Sequence, residues 1–287
     1  MTETKKRDVQ VLPIATDTLV MRSRSWNRLR FEIEYALEKG TTANAYLISA
    51  DRVALIDPPG GSFTTIFLES LRSQIALDQL DYIILGHINP NRLETLQHLI
   101  NEAPQVTIDC SNPGAIAIKA AELPLQNPPF VIKSADDSLD LGQGHKLQFM
   151  PVPTPRWPDG LSTYDPSTYT LYTDKFFSAH ICGEDPYDLH WDDLLNDRRY
   201  YFDTVMAPTA KQVTAALEKL SELPAHVYGV GHGPVVTYGI HELTQQYQHW
   251  CAQQKQQTLS VALIYASAYG NTATIGQAIA RGITKAG

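Results

Sequence analysis

Residues 86–92, Gly86-His87-Ile88-Asn89-Pro90-Asn91-Arg92, have the layout of a metal-binding loop and side chains ill suited to hold a metal. The loop follows the apolar run Tyr82-Ile83-Ile84-Leu85, which predicts a short buried strand, and precedes Leu93, Leu96, Leu99 and Ile100 at helical spacing. A loop at a strand's carboxyl end that opens a helix is a common place for chemistry. His87 can donate a lone pair to a metal. Asn89 and Asn91 are weak neutral oxygen donors, and the Arg92 guanidinium has no acceptor and stays protonated in any protein.

Three further segments add to this loop. Thr154-Pro155-Arg156-Trp157-Pro158-Asp159, Leu171-Tyr172-Thr173-Asp174-Lys175-Phe176-Phe177 and Gly231-His232-Gly233-Pro234 follow it in order. Together the four resemble the ligand motifs of the metallo-β-lactamase-like domain in flavodiiron proteins. There the first loop reads His-x-Glu-x-Asp-His, the second segment Thr-Pro-His-Trp-Pro-Asp, the third carries the Asp that bridges two irons, and the last is His-Gly-Pro. Mapped on this chain, His87 and His232 keep their ligand type, whereas Asn89, Asn91, Arg92, Arg156 and Lys175 stand at the other five ligand positions. That form resembles a diverged cyanobacterial branch of the family, whose members work beside a ligand-complete paralogue. The resemblance runs from about Val9 to the last residue.

Charge sharpens the comparison. The family's site sets three carboxylates against two iron ions; here those carboxylates are gone and Arg92, Arg156 and Lys175 add three cations. Placing two dications among them would be repulsive by several kcal/mol even at an effective dielectric of ~20. The expectation is a chain without iron and without a catalytic residue at this site, the three cations standing in the space iron would fill. Their charge must be balanced, since an unpaired buried charge is costly; Asp57, Glu94, Asp159, Asp174 and Glu184 are the candidate partners. A mononuclear zinc on His87 and His232 falls short of the three protein ligands a catalytic zinc normally takes. His98, His145, His180, His190, His226, His241 and His249 read as surface or structural histidines.

Composition bounds the rest. A chain of 287 residues, 43% hydrophobic, is long enough for one large core and part of another. A formal charge of −8 argues against nucleic acid as partner. No apolar run of about 18 residues is present to span a membrane, and the polar residues 1–7 do not read as a secretory signal. Cys110, Cys182 and Cys251 are scattered singly, which suits a reducing cytoplasm.

The elements that must position the motifs are legible in outline. Residues 9–12, 19–22, 43–49, 53–57, 106–110, 146–151, 170–173 and 227–230 read as strands. Residues 63–75, 200–206, 209–221 and 241–255 read as helices, and Ser111 with Pro113 marks a further helix start. Residues 122–129, with three prolines, read as a loop, and residues 165–168 as a turn. Strand groups separated by helices are compatible with two packed sheets covered on both outer faces; the resemblance supplies the specific version, an α/β fold of four αββα layers, metallo-β-lactamase-like, over residues 1–250. Residues 251–258, rich in glutamine, read as a linker.

Residues 259–265, Leu259-Ser260-Val261-Ala262-Leu263-Ile264-Tyr265, read as a buried strand running into Ala266-Ser267-Ala268-Tyr269-Gly270-Asn271-Thr272, and then a helix with Ile275, Ala278, Ile279 and Ile283 on one face. This resembles the first βα unit of a flavodoxin-like domain, whose loop wraps the phosphate of FMN; Ser267, Tyr269, Gly270, Asn271 and Thr272 are the binding residues implied. Backbone N–H groups and a helix start favour such an anion. Residues 259–287 hold only the start of that domain. Ring-binding loops come from later strands, so weak or absent FMN affinity is expected of this length of chain, and a lone parallel strand is poorly stabilised.

The resemblance implies a subunit of an oxidoreductase that reduces oxygen to water, with electrons from NAD(P)H or ferredoxin entering through FMN. A head-to-tail dimer, with a ligand-complete paralogue or with a second copy, would bring one subunit's flavin near the other's iron. The alternative is a non-catalytic anion-binding or regulatory module built on the cation cluster. A metal-dependent hydrolase fits least, because it needs the histidine-rich loop that is missing.

Overall fold

The structure, a computed structural model, describes residues 7–26, 30–31, 35–132, 137–254 and 262–286. The chain divides into two compact units, Met1–Cys251 and Ala252–Gly287.

The first unit opens on β1 (Asp8–Ala15) and β2 (Thr18–Ser25), passes through the small antiparallel pair β3 (Arg30–Phe31) and β4 (Tyr35–Ala36), and continues with β5 (Thr41–Ser49) and β6 (Val53–Ile56). Then β7 (Leu80–Ile84), β8 (Thr107–Ser111) and β9 (Phe130–Ile132) complete a seven-stranded sheet ordered β1-β2-β5-β6-β7-β8-β9. From β6 onward its pairs are parallel. Parallel neighbours need a crossover, and α1 (Thr64–Arg72), α2 (Pro90–Glu102) and α3 (Asn112–Ala120) supply the three. The expected cap holds: Ser111 Oγ accepts from the Gly114 N–H, with proline in the first turn of α3.

A second sheet contains β10 (Ser138–Asp140), β11 (Lys146–Pro151), β12 (Leu161–Asp165), β13 (Thr170–Asp174) and β14 (Val227–Val230), in chain order. Its last pair is parallel, bridged by α4 (Leu195–Tyr201), a π turn over Phe202–Met206, a 3-10 turn over Ala207–Thr209 and α5 (Ala210–Leu220). α6 (Ile240–Gln254) closes the unit.

Three apolar clusters define four layers. Leu47, Leu55, Ile83 and Ile108 pack with Phe67, Leu96 and Ile118 of the first three helices. Tyr46, Ile48 and Ile56 point the other way and meet Phe149, Leu161 and Tyr172 of the second sheet. Leu171 and Tyr228 pack with Tyr201, Leu217, Tyr247 and Trp250 of the outer helices. The alternation within β5, Tyr46 and Ile48 against Ala45 and Leu47, is what a strand with both faces covered requires. This is the αββα sandwich.

Several expected elements shift. The helix predicted over residues 63–75 ends at Arg72, and the one predicted from Tyr200 begins at Leu195. Strand β12 was not visible in the sequence because its Ser162, Thr163 and Asp165 are polar yet buried. In the second unit the expected strand is not observed among the described residues: 262–267 are irregular, and Leu263, Ile264 and Tyr265 are exposed, Ile264 by 92%. An apolar run cannot become a strand without a neighbour to take its hydrogen bonds. Leu259, Ser260 and Val261, linker residues 255–258 and residues 1–6 lie outside the described residues. α7 (Asn271–Ala286) follows as expected, with Ile275 and Ile279 exposed on it.

Candidate functional site

The site gathers where β6, β7, β13 and β14 end. Asp57 follows β6, Gly86 and His87 follow β7, Asp174 closes β13 with Lys175 next to it, and His232 follows β14. Backbones crowd here. A Cβ on Gly86 would lie 2.7 Å from the Asp174 Cβ, and one on Gly231 would lie 2.6 Å from the Asp174 carbonyl oxygen. Asp57 and Asp174 themselves sit at φ 54° and 47°, a left-handed conformation that non-glycine residues adopt at a cost of about 1 kcal/mol or more.

Asn89 is the N-cap of α2, its Oδ1 accepting from the Arg92 N–H at 3.0 Å, with Pro90 in the first turn. That bond fixes the amide orientation, so Nδ2 donates to His87 Nε2 at 3.0 Å. The other ring nitrogen, Nδ1, donates to Asp174 Oδ2 at 2.5 Å. Both nitrogens of His87 are thereby spent on the neutral form. Burial, with Arg92 and Lys175 nearby, outweighs Asp174 and brings the His87 pKa down to about 3.

Arg92 is buried between two acids. Nη1 donates to Asp57 Oδ1 at 2.7 Å and to the His87 carbonyl at 2.7 Å, and Nη2 to Asp174 Oδ1 at 3.3 Å. Gly86 N–H also donates to Asp57 Oδ1, at 2.9 Å. Burial works against ionising either acid. Asp174 overcomes it through His87, Arg92 and Lys175 and lies below the usual carboxylate range, whereas Asp57, buried and facing Asp174, is raised to about 6.

Lys175, 5% exposed, places Nζ 3.0 Å from His232 Nε2. His232 Nδ1 donates to the Thr42 carbonyl at 2.6 Å, so Nε2 is the acceptor and Lys175 the donor. Burial first, then Lys175 and His180, hold His232 well below the ordinary histidine pKa. Asn44 clamps the loop that carries His232, its Nδ2 donating to the carbonyls of Val230 and Gly233 at 2.9 Å each. Thr42 and Asn44 escaped the sequence reading. A buried asparagine inside the apolar run of β5 was the available signal, since asparagine is depleted in strands.

These side chains border a cavity of about 420 Å³, which Thr41, Ser62, Asn91 and Glu94 also line. The structure brings together His87, Asn89, Asn91, Arg92, Lys175 and His232, but not Arg156. That residue is exposed, its guanidinium 5.2 Å from the Trp157 ring centre, and does not line the cavity. The expectation that all three cations fill the iron space is corrected accordingly: an arginine at a loop tip gains more from water and an aromatic face than from joining two buried cations. Of the candidate acids, Asp57 and Asp174 take the charge of Arg92. Asp159 Oδ2 accepts from the Ile88 N–H at 2.6 Å, Glu94 lines the cavity, and Glu184 pairs instead with Arg24 at 2.7 Å.

A di-iron centre needs imidazole and carboxylate lone pairs aimed at the metals. Here both imidazole Nε2 atoms accept from Asn89 and Lys175, and both carboxylates of the cluster hold Arg92. Among the described residues no three His, Cys, Asp or Glu side chains are arranged to hold a metal ion. The donor set does not fit two irons.

In the second unit, Ser267, Tyr269, Gly270, Asn271 and Thr272 lie together, exposed, at the start of α7. Gly270 has φ +83°, and its carbonyl accepts the first helical bond, from the Thr274 N–H at 3.0 Å. The preceding amides, of Asn271, Thr272 and Ala273, have no partner within a helix, which fits a phosphate. No helix among the described residues is long and apolar enough to cross a membrane.

Comparison with known proteins agrees with this architecture. The model of the ODP family beta lactamase matches residues 41–233. The provisionally named diflavin flavoprotein A 6 of Nostoc sp. is 59% identical over the whole chain, which covers 50% of that protein; the chain spans about half the length of the curated relatives it matches. The metal-soaked Flv1 flavodiiron core from Synechocystis sp. superposes with a TM-score of 0.86 at 57% identity, covering 99% of this chain and 70% of that one. A crystal structure of residues 1–254 of the provisionally named diflavin flavoprotein A 5 from Nostoc sp. gives 0.84 at 53% identity, covering 88% of this chain and all of that fragment.

Proposed function

The chain belongs to the flavodiiron family, and from that premise we propose that it is part of an oxygen-reducing oxidoreductase in which its own di-iron position is inactive. The observation that carries this reading is the pair of hydrogen bonds from Asn89 to His87 and from Lys175 to His232. Each retained histidine gives its metal-binding lone pair to a side chain standing at a former ligand position.

Function on this reading depends on a partner whose ligands are complete. This chain contributes the sandwich and, through Ser267, Tyr269, Gly270, Asn271 and Thr272, the start of the phosphate cradle for FMN. When bound, FMN supplies electron transfer between a two-electron donor such as NAD(P)H, or a one-electron donor such as ferredoxin, and the partner's metal site. The chain's own residues hold charge and position: Arg92 keeps Asp57 and Asp174 ionised and fixes the ends of β6 and β13, so the sandwich stays closed without a metal. A head-to-tail heterodimer is the arrangement proposed. The anion-binding alternative is less well supported, because Arg92 is already neutralised by two acids and Arg156 lies outside the cavity.

The test is reconstitution. The full-length protein, alone and mixed with a ligand-complete relative, is assayed for co-elution and for oxygen consumption with NAD(P)H. The expected result is co-elution and oxygen uptake by the mixture above that of the relative alone. Oxygen uptake by this protein alone, at the relative's rate, contradicts the proposal.

A further inference from the structure

One group in the cavity has chemistry that a role in balancing charge does not use. Lys175 Nζ borders the 420 Å³ space, and His232 Nε2 accepts from it at 3.0 Å with Nδ1 tied to the Thr42 carbonyl. An amine shielded from water, hydrogen-bonded to a neutral imidazole and facing a cavity of ligand size is arranged as a nucleophile. We propose that Lys175 captures a small aldehyde as an imine inside this cavity. The inference rests on the reading that the cavity holds no iron.

The surrounding charges favour this product over other amine chemistry. Lys175 faces Asp174 and Asp57 on one side and Arg92 and Arg156 on the other, with neutral His232 and the Trp157 ring, 5.9 Å from Nζ to its centre, completing its surroundings. A protonated imine keeps the positive charge that Asp174 meets. Acylation would remove it, and a carbamate would put a third anion beside two carboxylates. Burial, helped by the two arginines, lowers the amine to about 8, so about a tenth is unprotonated at pH 7.

The step balances without an oxidant or reductant. The Nζ lone pair forms an N–C bond to the carbonyl carbon while the C=O π pair moves to oxygen. A proton leaves nitrogen for His232 Nε2 and passes to that oxygen, which departs as water after a second proton transfer while the C=N bond forms. Amine plus aldehyde gives imine plus water.

The full-length protein is incubated at pH 8 with glycolaldehyde or, in a separate arm, glyoxylate, trapped with cyanoborohydride and mapped by peptide mass, with iron measured on the same sample. Lys175 is expected to label about tenfold faster than the exposed Lys119 and Lys211, as its lowered pKa implies. Lys175→Arg, which keeps the charge and the fold, should abolish that label, and His232→Gln should slow labelling at Lys175 alone. Faster labelling by glyoxylate assigns a 2-oxo acid; faster labelling by glycolaldehyde assigns a neutral hydroxyaldehyde. Labelling of Lys175 in iron-free protein no faster than at Lys119 overturns the inference and leaves the iron-free reading standing. Stoichiometric iron in the sample overturns both.

Discussion

Lys175 and His232 meet across 3.0 Å, ammonium to imidazole, at two positions whose counterparts in flavodiiron proteins both hold iron. The contact changes what the loss of ligands means. Lys175 does more than fail to coordinate, because it consumes the lone pair that the retained histidine would offer. Asn89 does the same to His87.

Arg92 should be the residue whose loss costs the fold most. Arg92→Met leaves Asp57 and Asp174 buried and facing each other, and should destabilise by about 3–5 kcal/mol in urea unfolding. Arg92→Lys, unable to reach both acids with a fork, should recover only part of that. In the double variant with Asp57→Asn the penalties should be less than additive.

Asn89 has two separable roles. Asn89→Ala loses the cap of α2 and should cost about 1 kcal/mol. Asn89→Asp keeps the cap but turns an acceptor toward His87 Nε2, so the His87 pKa should rise from about 3 while helix stability is kept. Imidazole NMR titration reads the difference.

Lys175 makes a distinctive contribution to the pH profile. Its pKa is about 8 in the folded protein against 10.5 when unfolded, so between those values the unfolded state binds more protons. Stability from this group therefore rises with pH from 8 toward 10.5. Wild type should gain stability from pH 8 to 10 relative to Lys175→Met, measured by chemical denaturation at each pH. His87 gives the acid-side counterpart: with its pKa lowered from 6.5 to about 3, its contribution is complete above pH 6.5 and fades as pH falls. Asp57, raised from 3.8 to about 6, opposes that fading over its own interval.

Gly86 should tolerate no side chain. The Cβ of Gly86→Ala would press on the Asp174 Cβ at 2.7 Å, and overpacking of this kind costs about 1–3 kcal/mol. Thermal unfolding measures it; an unchanged midpoint would show that the strand ends can part.

The sandwich and the four motif segments were legible because their signals are local: apolar runs of strand length, a proline and cap before α2 and α3, and histidines beside glycines. Pairings were not. Five acids were equal candidates to balance the cations, and which of them reach Arg92 depends on where β6 and β13 end, not on any spacing. Arg156 misled because a motif position fixes its place in the chain while solvent and the Trp157 ring decide where its side chain goes. Strand β12 was hidden by buried polar residues, and residues 262–265 look like a strand only while a partner strand is assumed.

The central claim is that the lone pairs of His87 and His232 are already taken. The most direct measurement is iron content, with anomalous scattering at the iron edge, after anaerobic incubation of the protein with ferrous iron. The account predicts background iron and no anomalous peak between the two imidazoles; a stoichiometric pair of peaks there would contradict it.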